Sequence, residues 1–200
     1  MKGNRITMQN DLSVLDRAIT LAAKAHGGMR RKLDHLPYIM HPMEVAVVAG
    51  TLTEDEEVLA AAVLHDTVED TGVTLEEIAS LCGERVARLV LSETEDKHPE
   101  LAKEASWHLR KEESLNALRG AKDPGVRILW LADKLTNMRS YRRLWKKDGD
   151  AFWSHLNQSD PAKQGWYYQS IADILSDLSG TSAWQEYRQL VDEVFGGIAR

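Results

Sequence analysis

Residues 58–70 read VLAAAVLHDTVED. The seven residues before the histidine are all apolar, and a run that is apolar on every side predicts a helix docked in a core. If the helix continues, His65 and Glu69, and likewise Asp66 and Asp70, are neighbours four residues apart. The stretch therefore predicts a buried helix that carries a cluster of ionisable side chains at its C-terminal end.

This cluster has two interpretations. It can be a solvated last turn, since Thr71-Gly72 ends the helix there. Acidic residues at a helix C-terminus oppose the helix dipole, however, and a docked helix end desolvates carboxylates at a cost of several kcal/mol per ion unless a cation is present. Adjacent histidine and aspartate side chains are also a good metal-ligand pair. The stretch alone leaves a solvated turn and a metal site both open.

Helical signals continue toward the N-terminus. A first helix is predicted over about residues 12–26, capped by Asn10 or Asp11. An ordered loop follows over residues 29–40. Pro42 is a residue type that can open the next helix, because proline fits the first helical turn.

The same signals continue toward the C-terminus. Thr53–Glu56 and Thr74–Glu77 each have the spacing of a capping box, and Gly83 separates two short helices. A charged helix over about 101–121 and a long helix over about 126–147 follow, with two or three more helices beyond. Strand alternation, repeats and linkers are absent from the sequence. The pattern predicts an all-α fold.

Composition limits the classes of protein. The chain has 200 residues, 43% of them hydrophobic and 28% charged, which excludes a disordered tail. Its net charge of −6 is the wrong sign for holding nucleic acid by bulk electrostatics. No apolar stretch is long enough for a membrane span, and no signal peptide follows Met1. The single cysteine, Cys82, fits a reducing compartment. We therefore expect a cytoplasmic protein that uses neither nucleic acid nor membrane.

Two further residues favour a metal site over a solvated turn. His41 is flanked by prolines and aliphatic residues, and alone it would more often be a structural histidine. Asp133 lies in ILWLADKL, residues 128–135, a segment that is apolar all round, so an ionised carboxylate there needs a cation or several donors. A salt bridge could satisfy Asp133, but it would not explain His41 and His65 as well.

Two neutral histidines and two carboxylates would balance the charge of a divalent ion. Mixed nitrogen and oxygen ligation without cysteine suits manganese, iron, magnesium or zinc. Glu69 and Asp70, which lie beside this set, could orient a water molecule or move its proton. Arg31 and Lys32 could receive an anionic phosphate, although alone they would be taken as a solvated basic turn.

Four motifs in order resemble a known family. They are Ala25-His26-x-Gly28-x-x-Arg31-Lys32, then Pro37-Tyr38-Ile39-x-His41-Pro42, then HDTVED at 65–70 and LADKLTNMR at 131–139. Their combination resembles the hydrolase domain of RelA/SpoT-type proteins, which belong to the HD superfamily of metal-dependent phosphohydrolases. The resemblance covers about residues 12–145. It implies one HD-type helical bundle over residues 1–200, with C-terminal helices over 150–196.

The resemblance also implies a function. The family uses Mn²⁺ to remove the 3′-pyrophosphate from guanosine tetra- or pentaphosphate (ppGpp or pppGpp), so a small-molecule nucleotide is the expected partner. By position, the implied metal ligands are His41, His65, Asp66 and Asp133. The implied water-activating pair is Glu69 and Asp70, and the implied substrate contacts are Arg31, Lys32 and Asn137. The chain thus resembles a small stand-alone alarmone hydrolase.

Three departures from the family pattern lie near the expected nucleotide. Met29 replaces the usual glutamine, residues 33–36 form a longer spacer without glycine, and Thr136 replaces the usual histidine. The alternatives are therefore the same chemistry on another nucleotide, such as a dinucleotide 2′-phosphate or a nucleoside monophosphate, or a nucleotide-binding module without turnover.

Two groups of residues outside the motifs have two interpretations each. Arg139 begins a basic run and could reach a distal phosphate of the substrate, whereas the rest of that run favours a solvated face. Trp166-Tyr167-Tyr168 could stack on a base, but aromatic residues at helical spacing are more often core. The sequence leaves the oligomeric state open, including a homo-oligomer.

Overall fold

A computed structural model describes residues 12–95, 97–98 and 103–197, with side chains from Ser106 onward in the last range. Within these residues the regular structure is helical, and the all-α prediction is confirmed. Short 3₁₀ segments occupy Gly149–His155 and Ser176–Leu178. The α-helices are α1 (Val14–Ala25), α2 (Met40–Ala49), α3 (Glu56–Leu64), α4 (Thr67–Asp70), α5 (Leu75–Cys82), α6 (Glu84–Leu91), α7 (Lys103–Gly120), α8 (Pro124–Asp148), α9 (Pro161–Ile174) and α10 (Ser182–Phe195).

The first helix begins at Val14, about two residues later than the sequence predicts. Ser13 caps α1, and its hydroxyl accepts the backbone N–H of Asp16. The Asp16 carboxylate accepts the backbone N–H of Ser13 in return, which completes a capping box. The predicted caps, Asn10 and Asp11, lie outside the described residues.

One predicted capping box is confirmed and one is wrong. Thr74–Glu77 forms the reciprocal pair of hydrogen bonds at the start of α5. The Thr53–Glu56 pair does not, because Asp55 is the cap of α3 and its carboxylate accepts the backbone N–H of Glu57. The Thr53 hydroxyl accepts the N–H of Asp55 instead, so it supports the cap rather than the helix.

Helix α2 begins at Met40, two residues before the predicted Pro42. Pro42 therefore lies within the first turn, where backbone N–H groups have no partner inside the helix and the missing N–H of proline costs little. This earlier start places His41 in the first turn of α2, where its side chain is buried.

Helix α3 lies at the centre of the bundle. The side chains of residues 60–64 are fully buried, and α3 packs against α1, α2, α6 and α8. The small side chains of residues 60–62 allow these neighbours to approach closely on all sides. Helix α8 contributes a second fully buried row and packs against α10 on its other flank. The core therefore consists of α3 and α8 with the other helices around them.

The prediction of one unbroken helix over residues 58–70 is wrong, because α3 ends at Leu64 and α4 begins at Thr67. At the C-terminal end of α3, side chains rather than backbone N–H groups are hydrogen-bonded to the carbonyls. The Thr67 hydroxyl donates to the Leu64 carbonyl at 2.6 Å, and His65 Nδ1 lies 2.9 Å from the Ala62 carbonyl. Such bonds compete with the backbone ladder of a helix. The chain therefore turns at His65 and Asp66.

The start of α8 lies very close to α3. Asp123 caps α8 by accepting the backbone N–H of Gly125, and Arg85 of α6 donates to the same carboxylate. A Cβ atom on Gly125 would lie 2.8 Å from Val58 Cγ2 and 3.2 Å from Leu89 Cδ2. Only glycine therefore fits between these side chains. No helix of the described residues has the length and apolarity to cross a membrane.

We predict that Gly125→Ala destabilises the protein by about 1–3 kcal/mol, the usual cost of overpacking a core. Gly120→Ala is the matched control, since a Cβ atom there has no neighbour within 4 Å. It should leave stability unchanged or raise it by up to about 1 kcal/mol through helix propensity. Urea unfolding followed by circular dichroism measures both. Equal stabilities of the two variants would contradict the close approach of α8 to α3.

Candidate metal centre and active site

Four of the predicted site residues meet in one place, although they come from three separate elements. His41 lies on α2, His65 and Asp66 form the turn after α3, and Asp133 is near the middle of α8. Asp133 Oδ1 lies 3.1 Å from His41 Nε2 and 3.5 Å from His65 Nε2. The Asp66 oxygens lie 3.2 Å from His65 Nε2 and 3.6 Å from His41 Nε2. Both imidazoles thus direct Nε2 toward two carboxylates.

His65 has one ring nitrogen without a hydrogen-bond partner. Its Nδ1 lies 2.9 Å from the Ala62 carbonyl, which can only accept, so Nδ1 carries a proton. Its Nε2 is buried and makes no hydrogen bond within the described residues. A buried polar atom without a partner is costly. This nitrogen therefore faces a position where a cation would fit.

The charges around that position also favour a cation. Burial acts to lower the pKa of His65, but the carboxylates of Asp66 and Asp133 outweigh it and hold that pKa well above its ordinary value. Burial acts to raise the pKa of Asp133, but Lys134 and the two histidines outweigh it and hold that pKa well below its ordinary value. Two ionised carboxylates therefore face two imidazoles in a buried place.

This donor set fits a divalent metal. His41, His65 and Asp133 each offer one ligand atom, and these three atoms lie within 4.8 Å of one another. Asp66 oxygens lie 3.6 Å from His41 Nε2 and 3.2 Å from His65 Nε2, so Asp66 can supply a fourth ligand. Neutral imidazole nitrogens with carboxylate oxygens suit manganese, iron, magnesium or zinc, and no cysteine takes part. The geometry thus brings together all four residues that the sequence predicts as ligands.

Tyr38 connects the predicted catalytic Asp70 to this group. Its hydroxyl lies 2.7 Å from Asp66 Oδ2 and also within hydrogen-bond distance of Asp70 Oδ2. The two carboxylates therefore share the single hydroxyl proton as hydrogen-bond acceptors. Burial, together with Asp66, raises the pKa of Tyr38 far above its ordinary value, so the phenol remains a donor. The ring of His26 stacks on Tyr38 with centroids 4.7 Å apart. Asp70 is exposed, and the hydrogen bond from Tyr38 holds it beside Asp66.

Glu69, the other predicted catalytic residue, lines the same cavity as Asp66 and Asp133. Its Oε1 accepts the backbone N–H of Glu95 at 2.6 Å. Burial raises the pKa of Glu69, although the hydrogen bond from Glu95 opposes this. Burial thus makes Glu69 easier to protonate, and its other oxygen has no hydrogen bond among the described residues, so this carboxylate can accept and return a proton.

The cavity around this group has a volume of about 330 Å³ and a highly charged wall. Lys134 lies between Asp133, at 2.6 Å, and Glu93, at 3.1 Å. Arg110 and Lys111 both contact Glu95. Four residues of this lining are not predicted from the sequence, namely Glu93, Glu95, Arg110 and Lys111. They lie in segments that are mostly polar or charged. The hydrophobic spacing of these segments therefore does not distinguish the four residues from those of a solvated face.

Two of the predicted substrate contacts lie at the mouth of this cavity. Asn137 donates to Asp133 Oδ1 at 2.8 Å, and its own oxygen accepts from the Arg31 guanidinium at 3.4 Å. Arg31 also donates to Ser140 at 3.2 Å. These bonds place a guanidinium next to the carboxylate group.

A second cavity, of about 400 Å³, adjoins the first and shares Arg31, Tyr38 and Lys111 with it. One wall is the loop over residues 29–33, which includes the third predicted contact, Lys32. The lining also includes an aromatic wall of Trp107, Tyr141, Tyr167 and Tyr168. Tyr167 and Tyr168 are buried, so the core interpretation of this aromatic segment is confirmed, and the same two rings also line the cavity.

Arg139, the fourth predicted contact, is not brought to either cavity of the described residues. Its guanidinium donates to Glu186 of α10 at 2.7 Å and to Glu44 of α2 at 3.2 Å. Successive residues of a helix are turned by 100°, so Arg139 lies about 200° around α8 from Asn137. Further along the run, Arg142 pairs with Glu193 of α10. Arg139 and Arg142 therefore join α8 to other helices, whereas Arg143, Lys146 and Lys147 are exposed, as a solvated face predicts.

Glu93 should make stability depend on pH. Its side chain is 3% exposed, and burial raises its pKa to about 7, although Lys134 opposes the shift. The folded state then binds a proton that the unfolded state releases, so stability falls as pH rises from about 4.5 to 7.

We predict that Glu93→Gln, which cannot ionise, matches the wild type near pH 4.5. At pH 8 it should be more stable by an amount on the order of 2–3 kcal/mol. Urea unfolding in the presence of a chelator measures both proteins across this range. Exposed Glu76→Gln is the control, and parallel profiles for Glu93→Gln and wild type would contradict the prediction.

Comparisons with known proteins bear on this site. The profile of the HD domain family matches residues 18–158. Guanosine-3′,5′-bis(diphosphate) 3′-pyrophosphohydrolase of Aquifex aeolicus is 40% identical over 131 residues, 66% of this chain and 18% of that protein. The chain therefore spans about a fifth of the length of this long relative. The Homo sapiens protein named guanosine-3′,5′-bis(diphosphate) 3′-pyrophosphohydrolase MESH1 is 35% identical over 180 residues, 88% of this chain and 90% of that protein.

Solved structures are similar along most of the chain. The structure of a metazoan ortholog of SpoT, described as hydrolysing ppGpp, has a TM-score of 0.69 at 25% identity and covers 94% of this chain and 98% of its own. The structure of lmo0812 from Listeria monocytogenes EGD-e has a TM-score of 0.68 at 32% identity, with coverages of 78% and 99%. With the profile across most of its length and a relative matched over nine-tenths of that relative's own length, the chain belongs to the HD domain family.

Proposed function

We propose that this protein is a metal-dependent phosphohydrolase that removes the 3′-pyrophosphate from ppGpp. The observation that carries the proposal is the convergence of two buried imidazole nitrogens and two carboxylates, one of those nitrogens making no hydrogen bond in the described residues. Relatives that bear the name of this activity match the chain over most of its length. The family and the donor set together support this reaction over binding alone.

The proposed metal ligands are His41, His65, Asp66 and Asp133, and the proposed ion is Mn²⁺. When bound, a divalent ion of this kind supplies Lewis acidity that lowers the pKa of a water molecule toward neutrality. The two imidazoles and two carboxylates balance its charge. Lys134 and Asn137, which contact Asp133, keep that carboxylate ionised and fixed in orientation.

Glu69 and Asp70 have different proposed tasks. Glu69 Oε2 has no hydrogen bond among the described residues, so Glu69 takes the proton from the attacking water. The Tyr38 hydroxyl links Asp70 to Asp66. Asp70 is therefore held next to a proposed metal ligand, where its carboxylate can accept a hydrogen bond from the attacking water and orient it. The water oxygen attacks the phosphorus attached to the 3′ oxygen, the bond between that phosphorus and the 3′ oxygen breaks, and the 3′ oxygen takes up a proton from solvent as it leaves. The products are guanosine diphosphate and pyrophosphate.

The two adjoining cavities suggest where the substrate lies. Arg31 and Lys111 line both cavities, so they can bind phosphate oxygens where the nucleotide passes from one to the other. A guanidinium gives forked donors and an ammonium a point charge, and both stabilise charge that develops on phosphate oxygens. The aromatic wall with Tyr167 and Tyr168 is suited to a nucleoside, and Lys32 borders it. Arg139 is paired elsewhere and has no place in this proposal.

Several broader expectations belong to the same proposal. The whole chain, residues 1–200, is proposed to be one HD-type domain that acts in the cytoplasm on a small-molecule nucleotide. The absence of nucleic-acid binding and the oligomeric state stay predictions from the sequence.

A pair of substitutions separates metal binding from proton transfer. Asp66→Ala should abolish both Mn²⁺ binding and turnover, because it removes a ligand. Glu69→Ala should retain the metal and lose about 10²–10⁴-fold in rate, the usual contribution of a general base. Calorimetric titration with Mn²⁺ and product release measure the two properties, and Glu56→Ala at an exposed position of α3 is the control. A metal-free Glu69→Ala protein, or an active Asp66→Ala protein, would disprove this division of labour.

The substrate is tested directly with Mn²⁺-loaded protein and ppGpp. We expect release of guanosine diphosphate and pyrophosphate, with no release by Asp66→Ala. A panel containing a dinucleotide 2′-phosphate and a nucleoside monophosphate identifies another substrate if ppGpp is not cleaved. Tight binding of ppGpp without product from any member of the panel would show a binding module instead of an enzyme.

A further inference from the structure

Thr136 is fully buried beneath the metal centre, and its hydroxyl contacts two groups. Thr136 Oγ1 lies 2.9 Å from the backbone carbonyl of Asp133 and 3.3 Å from His41 Nδ1. A carbonyl only accepts, so the single hydroxyl proton goes to Asp133. The hydroxyl can then interact with His41 only by accepting a hydrogen bond from Nδ1–H.

This arrangement determines which nitrogen of His41 can bind a metal. A neutral imidazole carries one proton, and a proton on Nδ1 leaves the lone pair on Nε2. Nε2 is the atom that faces Asp133, at 3.1 Å, and Asp66, at 3.6 Å. We propose that Thr136 is a positioning residue, which accepts the Nδ1–H of His41 and thereby holds Nε2 ready for the metal.

The two histidines of the centre are oriented by acceptors of different kinds. The Nδ1–H of His65 is bonded to a backbone carbonyl, that of Ala62, which no substitution removes. The Nδ1–H of His41 depends on one side-chain hydroxyl. Among the described residues Thr136 lines neither the 330 Å³ nor the 400 Å³ cavity, so it acts through His41 and not by touching substrate.

Removal of this acceptor has a defined consequence. When Nε2 binds a metal, Nδ1–H must remain, and without Thr136 Oγ1 it would be a buried donor with no partner. Groups of this kind behind a metal ligand typically change metal affinity by 10–100-fold. This inference rests on the proposed metal centre, so the test measures Mn²⁺ affinity rather than turnover.

The experiment compares three variants by Mn²⁺ titration, with the EPR signal of free Mn²⁺ as the readout. Thr136→Val keeps the shape of the side chain and removes the hydroxyl, and it should weaken binding by 10–100-fold. Thr136→Ser restores the hydroxyl and should bind within a few-fold of wild type. Thr51→Val is the matched control, because that hydroxyl also donates to the carbonyl three residues earlier but contacts no proposed ligand.

The outcomes are distinct. Weak binding by Thr136→Val and restored binding by Thr136→Ser support the positioning role, provided that unfolding of the metal-free proteins is unchanged. Wild-type affinity in Thr136→Val overturns it and leaves the metal centre intact. Absence of Mn²⁺ binding in the wild type overturns the metal centre and this inference together. If Thr136→Val does not fold, Thr136→Ala replaces it, since Ala and Ser differ here by the hydroxyl alone.

Discussion

The carboxylate of Asp133 is the constraint on which the rest of the structure depends. It lies in the middle of a buried helix, where an isolated ion would cost several kcal/mol in lost solvation. Lys134 and Asn137 of the same helix and the two histidines offset that cost, and the two histidines each fix a neighbouring element. His41 holds the first turn of α2 against α8, and His65 holds the turn after α3. The full stabilisation of Asp133 therefore requires that α2, the turn after α3 and α8 meet.

The sequence points to these four residues because ionisable residues in apolar surroundings are conspicuous. His41, His65, Asp66 and Asp133 all stand beside apolar runs, and the structure brings them within a few ångströms of one another. Residues in already polar segments gave no such signal. Glu93 and Lys111 have the appearance of a solvated face, and only tertiary packing places them in the cavity.

Local geometry accounts for the remaining differences. The helix over 58–70 breaks because side chains of His65 and Thr67 take carbonyls that a continuing helix would have used. That choice depends on three-dimensional surroundings, which hydrophobic spacing does not contain. Arg139 follows Asn137 by two residues, and those two residues turn it to the other side of α8. Motif order alone does not show on which side of a helix a residue acts.

Helix α8 carries Asp133, Thr136 and Asn137 on one side and Arg139 and Arg142 on the other. The two arginines are bonded to Glu186 and Glu193 of α10, so these ion pairs and the packing of α10 on α8 both restrict rotation of α8 about its own axis. A small rotation would move the carboxylate, the hydroxyl and the amide together relative to α2 and α3. The C-terminal helix contributes no side chain to either cavity in the described residues. It therefore helps to orient the proposed metal centre without forming part of it. A substitution of Glu186 or Glu193 would therefore reach the proposed metal centre only through the orientation of α8.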